Sequence, residues 1–95
     1  MEAYEAFGKA CEQAGPLSPR ERRLVKLGLA FGARMEGASR AAVRKGLEAG
    51  LQPDELRHVA FLAMSTMGFA NGVAFLDWIE DVSSGRKPPK RAKKR

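Results

Sequence analysis

Two segments of the chain, LSPRERRLV (17–25) and LQPDELRHV (51–59), open with the same grammar, that of a helix start. In the first, Ser18 is a good N-cap and Pro19 takes the first helical position, where its missing N–H costs nothing. Glu21, three residues after Ser18, completes a capping box. In the second, Pro53 lies near the first turn, and Asp54 and Glu55 sit at the positive end of the helix dipole. Apolar residues then recur at three- and four-residue steps: Leu24, Leu27, Phe31 and Met35 after the first start, and Leu56, Val59, Ala60, Ala63, Met64 and Met67 after the second, with Gly68 closing that stripe. Isoleucine and threonine, the usual strand formers, occur once each. The expected fold class is all-α.

Three further helices of a five- to six-helix domain follow from the same reasoning. Residues 2–13 space Ala3, Phe7, Ala10 and Ala14 helically and stop at Gly15 and Pro16. A short helix is predicted from near Ser39 to Ala49, with Ala42, Val43 and Leu47 on its face and Gly50 as its left-handed cap. A last helix, roughly 71–83, carries Val73, Phe75, Leu76, Trp78, Ile79 and Val82 on more than one side. That is more apolar surface than a lone small domain easily buries, and it suggests a subunit interface. Gly28 and Gly32 admit two readings, a close helix crossing or two tolerated glycines costing roughly 1 kcal/mol each.

Length and charge bound the function classes. A chain of 95 residues makes one domain, and a domain this small buries only about 60–65% of its unfolded surface, so a partner subunit is an expected support. The net charge of +6 suggests nucleic-acid binding until it is divided along the chain. Arg86, Lys87, Lys90, Arg91, Lys93, Lys94 and Arg95 lie in the last ten residues, which leaves residues 1–85 with ten basic and eleven acidic side chains. The expected organisation is a helical domain over 1–85 and a basic, disordered tail over 86–95. A single cysteine, Cys11, and the absence of an apolar leader or a membrane-length apolar run point to a reducing, cytoplasmic setting without membrane contact.

The order of these signals resembles the carboxymuconolactone decarboxylase family, which includes the AhpD-like alkylhydroperoxidases. The residues that carry the resemblance are LSPRERRLVKLGLAFGA (17–33), AAVRKGLEAGLQPDEL (41–56) and VAFLAMSTMGFANGVAFL (59–76). It implies an all-helical subunit assembled into dimers, trimers or hexamers. It also implies where chemistry would sit. In peroxidase-like members a glutamate on the helix after the ER signal, a Cys-x-x-Cys at the start of the next helix and a histidine one turn further form the site. A thiolate attacks the peroxide, the second thiol resolves it, and the acid and imidazole move protons. Counting back from Gly50, these positions fall on Arg23 for the glutamate, Met35 and Ala38 for the cysteines and Ala42 for the histidine. None of the four carries the family's functional group. Decarboxylating members lack the paired cysteines but keep polar acid–base groups there.

Other candidates are weaker. His58 reads as a surface or interface histidine, Cys11 as a half-buried structural thiol without a resolving partner, and Glu36 as the one acid between Arg34 and Lys45. Met35, Met64 and Met67 read as core filler, and Ser65 and Thr66 as hydroxyls bonding their own helix. One histidine and one cysteine make no ordinary zinc site, so neither a metal nor a cofactor is expected. Three functions remain: a catalytically degenerate oligomeric domain, an enzyme with a displaced site using His58, Glu36 or substrate-borne groups, and a tail-borne contact with nucleic acid or an acidic protein through counterion release. The last has an ordinary rival, a solvated tail that aids solubility.

Overall fold

A computed structural model describes residues 2–85, and the basic tail expected over 86–95 lies outside them. Five helices follow one another, α1 (Glu2–Glu12), α2 (Pro19–Gly32), α3 (Glu36–Glu48), α4 (Pro53–Met67) and α5 (Phe69–Ser83), with no strand among the described residues. The predicted cap of α2 forms in both directions: the Glu21 N–H donates to Ser18 Oγ at 3.1 Å, and the Ser18 N–H donates to Glu21 Oε1 at 2.9 Å. At α4 the Gln52 N–H donates to Glu55 Oε1 at 2.8 Å. That bond, and then the Arg20 side chain, hold the Glu55 carboxyl below the usual carboxylate range.

Helices α2, α3, α5 and α4 pack in a ring, each against the next, so α2 faces α5 across the centre. There the Phe31 ring stacks on Phe75 with centroids 4.3 Å apart and planes 2° from parallel, and Trp78 tilts against Phe75 at 5.2 Å. Leu27, Val43, Leu51, Leu56, Ala60 and Ile79 complete the buried core. Charged pairs clamp its outside, with Arg20 on Glu55 joining α2 to α4, and Arg57 reaching Glu80 at 3.0 Å to join α4 to α5. Arg40 on α3 reaches both Glu36, at 2.8 Å, and Asp81 on α5, at 3.1 Å.

The interior corrects several expectations. Of the apolar residues expected on two sides of α5, Phe75, Trp78 and Ile79 are buried within the chain between α3 and α4, Leu76 and Val82 are partly buried, and Val73 stays open, as does Phe69 at the start of the helix. Helix α3 begins at Glu36, three residues before Ser39, because Arg34 adopts a left-handed φ of 55° that reverses the chain within residues 33–35. Met35, at the N-cap of α3, is 53% exposed and is not core filler. Cys11 is exposed, not half-buried, since α1 buries no residue. Gly68, with φ of 106° and ψ of 156°, ends α4 and starts α5 at one residue, so α5 begins two residues earlier than expected. The hydroxyls of Ser65 and Thr66 do bond back to the Leu62 carbonyl, at 3.0 and 2.9 Å.

Ser39 has the chemistry of a cap and the position of a core residue. It is fully buried, its N–H donates to the Met35 carbonyl at 2.8 Å, and its hydroxyl has no hydrogen-bond partner among the described residues. An unsatisfied buried hydroxyl costs about 1–3 kcal/mol. Ser39→Ala is therefore expected to raise the unfolding free energy by about 1 kcal/mol in a urea titration, and a loss of stability would show that the hydroxyl is satisfied after all.

Candidate functional site

Helices α2 and α3 are joined by three residues, so α3 runs back along α2. Their facing sides do not close completely. An open groove of about 620 Å³ lies between them, flanked by α1, and Arg23, Met35, Ala38 and Ala42 all line it. The four positions to which the family resemblance points thus line one groove. Phe31 does not enter the groove; it belongs to the core on the other side of α2.

Because the two helices are antiparallel, the groove has two unlike ends. Arg22, Arg23 and Lys26, from the first turns of α2, lie at the end reached by Lys45 from the last turn of α3. Leu29 and Ala30 lie toward the turn, with Met35 and Ala38, and Ala41 and Ala42 form the stretch between. Glu12 is the sole carboxylate of the lining, and Tyr4 its sole aromatic, both from α1. Arg22 is engaged with the Leu17 carbonyl at 2.9 Å. Arg23, Lys26 and Lys45 form no ion pair among the described residues, and all three are exposed. The groove is positive at one end and apolar at the other.

Spacing alone did not single out Arg22, Lys26 or Lys45. A signal was present: Lys26 follows Arg23 by three residues and Lys45 follows Ala42 by three, so each shares a helix face with a position already chosen. The weaker candidates do not join this site. Glu36 is paired with Arg40, and His58 lies in a second groove, between α2 and α4, with Val25, Gly28, Val59, Leu62 and Met67. Cys11 is not part of either lining. At Gly28 an added Cβ would meet Val59 at an ordinary 3.8 Å, and at Gly32 it would meet nothing within 4 Å, so neither glycine is required by a close crossing. Among the described residues no group of three or more His, Cys, Asp or Glu side chains is placed to hold a metal, and no helix is long and apolar enough to cross a membrane.

The helical ring and the groove at these four positions define a class, small all-α domains built around a helical hairpin. The carboxymuconolactone decarboxylase family model matches residues 1–81, nearly the whole of the described chain and including α1. The chain belongs to that family. No curated protein and no solved structure gives a match to it.

Proposed function

We propose that this chain is an AhpD-like member of the family that has given up thiol and acid–base chemistry and acts as a binding domain within a homo-oligomer. The observation that carries this reading is the convergence of Arg23, Met35, Ala38 and Ala42 on one open groove. A guanidinium does not lose its proton at working pH, a thioether and two methyl groups transfer none, and no thiol lines the groove. Glu12 and Tyr4, the remaining acidic groups, come from a helix that buries nothing, whereas a catalytic group must be held within roughly 0.5 Å of its working position. Assembly is supported by apolar side chains that the single chain leaves in water, among them Tyr4 and Phe7 on α1, Phe61 and Leu62 on α4, and Phe69 on α5.

The test is turnover together with mass. Full-length protein given an alkyl hydroperoxide and a dithiol, or a muconolactone, is expected to leave each at the buffer rate, and light scattering on the same sample is expected to report more than one chain per particle. Hydroperoxide or lactone consumption that disappears in Cys11→Ser or His58→Ala would restore an enzyme with a displaced site. A monomer at all concentrations would remove the oligomer.

A further inference from the structure

We infer that the α2–α3 groove is a binding site for an amphiphilic anion, a ligand with a carboxylate or phosphate head and an apolar body. The inference rests on the reading above, in which the groove binds without reacting, and names its ligand class. Three observations combine. First, Arg23, Lys26 and Lys45 converge on one end of the groove with no ion pair among the described residues, and Arg22 stands beside them. Four cations against Glu12 alone leave that end with a surplus of positive charge, and a concave wall of low dielectric focuses such a field. Second, Pro19 and Arg22 belong to the first turn of α2, where the helix dipole is positive and adds to the same field. Third, the other end offers only Leu29, Ala30, Met35 and Ala38, an apolar surface broad enough for an alkyl or aryl group.

The two ends are placed for one ligand. Arg23 and Ala30 are seven residues apart on α2, a rise of about 10 Å, so head and body must be separated on that scale. An inorganic anion would use the cations and leave the apolar end wet; a neutral lipid would leave the cations unpaired. A molecule with both parts uses the whole groove. A phosphate head, carrying close to two charges, engages several cations at once and is favoured over a carboxylate.

Calorimetric titration of the full chain with octyl phosphate, octanoate, octanol and inorganic phosphate tests the assignment. Saturable binding of octyl phosphate is expected, at least tenfold tighter than inorganic phosphate or octanol, with octanoate between. The double variant Lys26→Gln/Lys45→Gln keeps the basic tail and is expected to weaken octyl phosphate at least tenfold at unchanged melting temperature. Ala38→Phe, at an exposed position, is expected to weaken octyl phosphate while leaving inorganic phosphate as it was. Equal binding by wild type and the double variant would place the anion elsewhere and overturn the proposal, as would no saturable binding or equal affinity for octanol. Hydroperoxide or lactone turnover would instead refute the loss of chemistry, so the two failures are told apart.

Discussion

Replacing Phe75 by alanine is expected to lower the unfolding free energy by about 3–5 kcal/mol. The ring is fully buried, stacked on Phe31 and tilted against Trp78, so it joins α5 to α2 across the centre of the ring of helices. Removing a core phenylalanine costs about 3–5 kcal/mol, because the transfer free energy is lost and the cavity only partly collapses. Stability of about 0.05–0.15 kcal/mol per residue puts a domain of this size at roughly 4–13 kcal/mol in total. The substitution thus removes about a quarter of it at the least and all of it at the most. A urea titration followed by far-ultraviolet circular dichroism measures the loss, with Phe75→Leu expected to fall between the variant and the wild type. A loss under about 1 kcal/mol would mean that the aromatic stack does not hold the helices together.

Gly72→Ala is expected to destabilise the fold by up to about 2 kcal/mol, against the usual preference for alanine over glycine in a helix. Gly72 is buried on α5 where α4 crosses it, and an added Cβ would fall 1.9 Å from Met64 Cγ and 3.1 Å from Met64 Cβ. Moving Cγ requires turning the whole Met64 side chain about Cα–Cβ, and Cβ moves only with the backbone, so Met64 must change rotamer or α4 and α5 must shift apart. Overpacking of this kind costs about 1–3 kcal/mol, more than the roughly 1 kcal/mol that alanine contributes as a helix former. Gly37→Ala on α3, with nothing within 4 Å of the added atom, is expected to gain a few tenths to about 1 kcal/mol. The double variant Gly72→Ala/Met64→Ala should recover part of the loss in the same titration. If Gly72→Ala alone stabilised the protein, the close crossing of α4 and α5 would be wrong.

The legible part of the fold was the part written in local chemistry. The start of α2 follows from Ser18, Pro19 and Glu21, because a cap is an agreement among residues within one turn, and it forms as expected. The end of α3 follows from Gly50, whose φ of 101° suits glycine. The start of α3 was misplaced for the same reason. Serine is a better cap than methionine, so the local rule selects Ser39, whereas the left-handed turn at Arg34 starts the helix sooner and puts Met35 at the cap without a side-chain bond. Local preference for Ser39 was outweighed by the short connection between two packed helices.

The candidate site divides along the same line. Set against the family resemblance, the sequence was enough to choose Arg23, Met35, Ala38 and Ala42, which are counted back along the chain from Gly50. It was not enough to add Lys26 and Lys45, because a shared face on one helix says nothing of what the neighbouring helix brings opposite. That depends on the register of α3 against α2, a matter of how the two helices pack together over the shared core.

By itself, then, the sequence determined the helical class, the cap of α2 and the start of α4, all of them properties of residues a turn or two apart. Only the tertiary structure decided that α5 buries Phe75, Trp78 and Ile79 between α3 and α4, that Gly72 and not Gly28 is the close crossing, and that cations from two helices gather at one end of a groove whose other end is apolar. These are long-range outcomes, set by which helices become neighbours and in what register, and no interval along a single chain encodes them.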